Sequence, residues 1–138
     1  MFTCEIPVRF GDVDQAQIVY YPRFFHFCHV AMEEMFRGVV GRPYHEVILK
    51  DRVGFPAVHV ETDFENTVGF GETLRMSVVV ERIGRTSVAF RYEGTRSSDG
   101  VLAFRARITT VAVDMDRFRP IPVPERYKAA LATLLAKA

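Results

Sequence analysis

Residues 22 to 37 constrain the fold of this chain more than any other stretch. Phe24, Phe25, Phe27, Cys28, Val30, Ala31, Met32, Met35 and Phe36 cover far more than one stripe of a helix. A soluble helix that is apolar over most of its surface must be buried over most of its surface. Pro22 suits the first helical position, having no N–H to leave unpaired and a fixed φ, and Gly38 is a natural stop. The pattern predicts a long central helix from about Pro22 to Arg37, wrapped by a sheet rather than lying on one face.

The remaining chain supplies the sheet. Phe2, Cys4, Ile6, Val8 and Phe10 alternate on one side of a first strand, and Pro7 on the other side marks an edge or a bulge. Val39 to Val53 reads as irregular. After Pro56, Val58, Val60, Thr62 and Phe64 alternate with His59, Glu61, Asp63 and Glu65. Gly69 and Gly71 turn the chain into Leu74, Met76, Val78 and Val80. Gly84-Arg85 makes a tight hairpin into Val88, Phe90 and Tyr92, and Ser97 to Gly100 makes the next, into Leu102, Phe104, Ala106 and Ile108. Pro120, Pro122 and Pro124 end the sheet, and residues 125–137 form a short helix with Tyr127, Leu131, Leu134 and Leu135 as its apolar side. Hairpin-linked strands with a separate helix define an α+β domain. The expected architecture is a five-stranded antiparallel sheet around the long helix, with a short C-terminal helix. At 138 residues the chain is one domain, 1–138, with room for a proper core.

Charge excludes some partners. Lys and Arg number 18 against 17 Asp and Glu, and no basic run occurs, so neither nucleic acid nor an anionic membrane is expected as a partner. No apolar run approaches membrane-spanning length, and the N-terminus enters a strand pattern without a basic leader, so a cytoplasmic location is expected. Cys4 and Cys28, the only cysteines, are read as reduced thiols in packing roles. His26, His29 and Glu33 have a spacing that could hold a metal, but no second Glu/His cluster completes a ligand set. They are read as packed, hydrogen-bonded histidines, with no metal and no cofactor expected.

The chemistry concentrates in Phe10 to Phe27. Asp12 and Asp14 stand two apart beside Gly11, just ahead of the helix opening at Tyr21-Pro22. Free N–H groups there, with the positive end of the helix dipole, would polarise or hold an anionic oxygen. A carboxylate just upstream suggests hydrolysis of an activated carbonyl. Taken alone, Asp14 reads first as a turn aspartate capping the backbone. Asp12 is expected to fix the loop through backbone hydrogen bonds, or else to tune Asp14 by like-charge repulsion.

Phe10-Gly11-Asp12-Val13-Asp14 followed by Ile18-Val19-Tyr20-Tyr21-Pro22 resembles the signature of 4-hydroxybenzoyl-CoA-type thioesterases, and the element order resembles their hotdog fold. The resemblance runs over nearly the whole chain and implies cleavage of an acyl- or aroyl-coenzyme A without a metal. It makes Asp14 the catalytic carboxylate, as nucleophile or general base, and gives the Tyr21 backbone N–H the task of polarising the thioester carbonyl. It also implies that Arg85 contacts the nucleotide phosphates, whereas Arg82 and Arg91 suit a solvated hairpin and Glu72 a turn. Gln15 and Gln17 depart from the family's proline and glycine, and Gln17 sets a side-chain amide close to the site. Gln17, Pro22, Phe25 and His59 complete the expected substrate-binding set, although His59 fits an exposed or interface position equally well. A non-catalytic acyl-CoA-binding module and a hotdog hydratase or dehydratase are the competing readings. One helix covers only one sheet face and the residue 56–66 strand lacks edge protection, so a homodimer or homotetramer is expected.

Overall fold

Leu74, Met76, Val78 and Val80 are each fully buried, as every second residue of a strand facing a core must be. In this computed structural model, which describes residues 1–137, the chain runs β1 (Phe2–Pro7), α1 (Pro22–Met35), α2 (Tyr44–Leu49), β2 (Val53–Gly54), β3 (Ala57–Phe64), β4 (Thr73–Ile83), β5 (Ser87–Arg96), β6 (Leu102–Val111), β7 (Val113–Asp114), β8 (Arg119–Pro120) and α3 (Glu125–Ala132). Five of these strands form one antiparallel sheet in the order β1-β4-β5-β6-β3. β2, β7 and β8 make a separate three-stranded ribbon. Neither the ribbon nor α2 is visible in the sequence, because two-residue strands carry no alternation and Val39–Val53 carries no helical stripe. No helix among the described residues is long and apolar enough to cross a membrane.

α1 packs against β1 and β4, and Phe24 meets Phe104 of β6 at 4.6 Å between ring centroids. The helix buries Phe24, Phe27, Cys28, Ala31, Met32 and Met35. His26, His29, Glu33, Glu34 and Arg37 stay exposed, so its buried side is narrower than its apolar count implies. Phe25 and Val30 are half-buried and border open clefts instead of the sheet. Gly38 does not stop the helix. The chain continues through a π turn at Phe36–Val40, and Gly41, at φ +75°, ends it. Gly38 instead makes room for a neighbour, since a Cβ there would lie 3.1 Å from the Phe2 ring. At the other end of the chain α3 finishes at Ala132, and the tail turns to bridge β4, with the Val80 N–H donating to the Leu134 carbonyl at 2.9 Å.

The two edges of the main sheet differ. β3 has nearly every residue exposed, including Val58, Val60 and Phe64, beside a register shift between Ala57 and His59. The sheet face away from α1 is charged: Arg107 bridges Glu61 and Glu81, while Arg91 bridges Glu81 and Glu93. These half-exposed pairs contribute little stability singly.

A more buried ion pair fastens the π turn to the helices around it. The Asp51 carboxylate is 8 % exposed and receives Arg42 Nη2 at 2.8 Å and Nε at 3.0 Å, together with the Tyr127 hydroxyl from α3. The Arg42 hydrogen bonds, opposed by burial and reinforced by Tyr127, lower its pKa from 3.8 to about 2. A carboxylate depressed by folding contributes stability above its unfolded pKa and loses it as pH falls through the folded value. Asp51→Asn should therefore lower Tm at neutral pH by about 5–10 °C. It should also flatten the loss of Tm between about pH 4 and pH 2, measurable by calorimetry across that range.

Candidate active site

The loop between β1 and α1 is a tight turn held from three sides. The Gln17 N–H donates to the Asp14 carbonyl at 2.9 Å and the Asp14 N–H to the Ile18 carbonyl at 3.1 Å, while Val13 and Val19 form a bridge. Residues 68–70 brace the outside, with Val19 N–H on the Val68 carbonyl (2.8 Å) and Phe70 N–H on the Gln17 carbonyl (3.1 Å). Glu72 is a turn residue, as expected, accepting the Gly69 N–H at 2.5 Å. Asp14 itself is exposed. Its Oδ1 accepts the Ala16 N–H at 2.9 Å, the backbone-capping role of a turn aspartate, and its Oδ2 has no partner among the described residues. One oxygen orients the side chain and the other is available.

Asp12 does the structural work expected of it, by more than backbone contacts. It is 4 % exposed, and its carboxylate accepts the Arg9 N–H at 2.8 Å. Arg23 also donates to it, from Nε at 2.9 Å and Nη2 at 2.8 Å, and the Asp12 carbonyl takes the Tyr20 N–H at 2.9 Å. Arg23 lies in the first turn of α1, so this pair ties the acidic loop to the helix start. Sequence reasoning missed Arg23, because nothing in the spacing marks an ion pair eleven residues apart.

The helix opens as Pro22 requires. Tyr21 precedes it in helical conformation, and Arg23 N–H and Phe24 N–H donate to the Tyr20 and Tyr21 carbonyls at 2.8 and 3.2 Å. The Tyr21 N–H donates to no group among the described residues. An unengaged amide thus stands at the positive end of a 14-residue helix. The Tyr21 side chain meets Phe64 of β3 at 6.2 Å, and Phe64 also meets Phe24 at 5.6 Å and Phe25 at 6.3 Å. A cleft of about 250 Å³ lies between Tyr21, Phe24 and Phe64, flanked by Ile18 and Asn66. One turn further along α1, Phe25 enters a second, larger cavity of about 480 Å³ between the helix and the sheet. Phe25, His29, Met32 and Phe36 form its helical wall; Phe55, Val60 and Tyr92 face them. Burial pushes the Cys28 thiol in this cavity far above the ordinary thiol range, so Cys28 is no nucleophile there.

Asp14, Gln17, Tyr21, Pro22 and Phe25 therefore gather on one loop and one helix end. His59 and Arg85 do not join them within the chain. The His59 Nε2 lies 3.0 Å from Glu61 Oε1 and the ring is exposed, away from both cavities. Arg85 is exposed in the β4–β5 hairpin. β1 pairs with the start of β4 through Pro7 and Thr73, and β4 runs eleven residues from there, so Arg85 sits about 30 Å along the sheet from that end. His26 and His29 are not packed, hydrogen-bonded histidines. Both are exposed and neither has a hydrogen bond among the described residues; His26 borders a groove beside β1, whereas His29 borders the cavity. No cluster of three or more His, Cys, Asp or Glu suited to a metal occurs among the described residues.

The five-stranded α+β fold matches hotdog-fold thioesterases. The chain belongs to the thioesterase-like superfamily, whose family model matches residues 8–131. It is 33% identical over 137 residues to a 1,4-dihydroxy-2-naphthoyl-CoA hydrolase of Nostoc punctiforme, covering 96% of this chain and 87% of that one. A thioesterase superfamily structure from Jannaschia sp. CCS1 superposes with a TM-score of 0.91 at 27% identity, over 99% of this chain and 94% of the other. The structure of a 1,4-dihydroxy-2-naphthoyl-CoA thioesterase from Synechocystis shares the fold, with a TM-score of 0.87 at 24% identity over 96% of both chains.

The turn itself yields a prediction. Gln17 holds φ +65°, a conformation that costs an L-residue on the order of 1 kcal/mol and costs glycine little. Gln17→Gly should raise stability by up to about 1 kcal/mol, whereas Gln17→Ala should not, as chemical denaturation would show.

Proposed function

We propose that the protein hydrolyses an acyl- or aroyl-coenzyme A to the free acid and coenzyme A, with Asp14 and the Tyr21 amide as its catalytic groups. The observation that carries this reading is the unengaged Tyr21 N–H at the helix start, on the same braced loop as an available Asp14 oxygen. The thioester oxygen accepts from that amide, and the developing negative charge strengthens the bond as the carbonyl carbon becomes tetrahedral. Either of two balanced routes follows. Asp14 takes a proton from water while the resulting hydroxide adds to the carbonyl, the C–S bond breaks, and the thiolate recovers the proton. Alternatively an Asp14 oxygen adds directly, thiolate leaves, and water cleaves the mixed anhydride. A single turnover in ¹⁸O-water that leaves label in Asp14 identifies the second route, with water attacking the aspartyl carbonyl of the anhydride. Neither route calls on a metal or cofactor. The aromatic walls of Tyr21, Phe25 and Phe64, and the aroyl-CoA hydrolases among the relatives, favour an aroyl group.

Asp14→Asn should reduce kcat by about two orders of magnitude or more while leaving coenzyme A binding and Tm nearly unchanged. A thiol-reagent assay over a panel of acyl-CoAs, with and without exhaustive chelation, measures this directly. Near-normal turnover in the variant would reject Asp14, and loss of wild-type activity on chelation would reject the metal-free route.

We further propose that the working site is shared between two chains. β3 offers an unpaired edge with Val58, Val60 and Phe64 exposed. Pairing two such edges antiparallel about a two-fold axis sets the Ala57 end of one strand beside the Phe64 end of the other. Pro56 to His59 of a neighbour would then reach the cleft beside Tyr21, and its Arg85, at the same end of the sheet, would approach the nucleotide phosphates. The competing monomeric arrangement leaves Arg85 about 30 Å from the β1 end of the sheet. Inactive Asp14→Asn chains mixed with chains disabled by His59→Trp should regain one working site per heterodimer. An active monomer by sedimentation, or no recovery after proven subunit exchange, would contradict a shared site.

A further inference from the structure

The cavity behind Phe25 is mostly apolar. Among the five tyrosines, Tyr127 is engaged by Asp51, and Tyr20 and Tyr21 are exposed to solvent. Tyr92 differs from all of these. The residue is 3 % exposed and lines the cavity, yet its hydroxyl has no hydrogen-bond partner among the described residues. That oxygen is not sealed in packing either, because the sealed and unpartnered side-chain atoms are Thr62 Oγ1 and Arg91 Nε. It therefore opens on the cavity. Burial, with Cys28 and Tyr44 close by, holds its pKa well above the ordinary phenol range, so it is a neutral O–H that can both donate and accept.

Tyr44 stands in the same cavity, and the Phe55 N–H donates to its hydroxyl oxygen at 3.3 Å. Its own proton has no acceptor among the described residues. The third hydroxyl there, on Thr110, is already engaged by the Val88 carbonyl at 3.0 Å. Two hydroxyls thus face a space of about 480 Å³ with hydrogen-bonding capacity left over. Water would meet it in the free protein. A ligand that displaces such water keeps its affinity only if it supplies an oxygen in the same place.

The helix connects this place to the catalytic groups. Cys28 is seven residues beyond Tyr21 and so on the same face of α1, about 10 Å along the axis, and it lines the cavity together with Tyr92, so an acyl group whose carbonyl meets the Tyr21 amide would extend along the helix toward Tyr92. We infer that Tyr92 and Tyr44 form a specificity site that reads an oxygen substituent on the acyl group, distal to the thioester. This inference rests on the thioesterase reading and goes beyond it, by assigning two residues remote from the Asp14 loop.

The test compares 2-naphthoyl-CoA with its 6-hydroxy and 7-hydroxy derivatives, in wild type, Tyr92→Phe and Tyr44→Phe. At least one hydroxylated thioester should be preferred in kcat/KM by about 10-fold or more, and Tyr92→Phe should bring that ratio close to one. Tyr92→Phe should keep or raise Tm, because the hydroxyl has no partner in the folded chain. A fall in Tm would show a structural role and overturn the assignment. Equal rates on all three thioesters, or an unchanged ratio in Tyr92→Phe, would also overturn it. Calorimetry with the free 2-naphthoic acids separates this failure from failure of the hydrolase reading. Tighter binding of a hydroxylated acid, abolished by Tyr92→Phe, supports the specificity site even where no thioester turns over, and equal binding contradicts it.

Discussion

The Asp12–Arg23 ion pair is the constraint on which the site depends. It joins a loop that would otherwise hang from the end of β1 to the first turn of α1. Asp12 is nearly sealed, so its charge is tolerated only because Arg23 and the Arg9 N–H meet it. With that anchor set, the Tyr20 N–H is drawn onto the Asp12 carbonyl, and the following amide, that of Tyr21, is left at the helix end with nothing to satisfy it. Two carboxylates two residues apart thus acquire opposite roles from their surroundings: Asp12 is buried and paired, Asp14 exposed and available.

The sheet gives that arrangement its rigidity. The residue 68–70 turn holds the outside of the loop through Val68 and Gly69, and Val68 is fully buried, so the brace rests on the core itself. The opposite face of the sheet carries a network of alternating charges, which keeps it wet, while apolar surface is exposed along β3 and around the aromatic cleft. Polarity therefore separates the solvent side from the sides where substrate or a second chain would bind.

Much of this was legible from residue patterns. Period-two runs such as Leu74 to Val80 and Phe104 to Ile108 located four strands of the main sheet, and Phe2 to Val8 located the fifth. Pro22 fixed the helix start. Its end was misread because Gly38 looks like a stop but is small for the sake of the Phe2 ring, a long-range contact that spacing does not encode. The full apolar count of α1 overstated its burial for a related reason: Phe25 faces a cavity, which a pattern cannot tell from core. The short β2–β7–β8 ribbon and α2 are held by tertiary contacts, Tyr44 on Phe36 among them, instead of by local periodicity. In the site, the acidic motif was readable and its partner Arg23 was not. Tyr92 looked like one more core residue of an alternating strand, because an unpaired hydroxyl is visible only once its neighbours are in place.

The central claim is that the Tyr21 backbone N–H, and not a side chain, stabilises the reacting carbonyl. Replacing Tyr21 by its α-hydroxy analogue converts that amide to an ester and removes one hydrogen while keeping the phenol ring and the helix. The account predicts a fall in kcat of about 10²–10³-fold with little change in Tm, as loss of one oxyanion donor produces. A semisynthetic protein with unchanged kcat on its best acyl-CoA would contradict it.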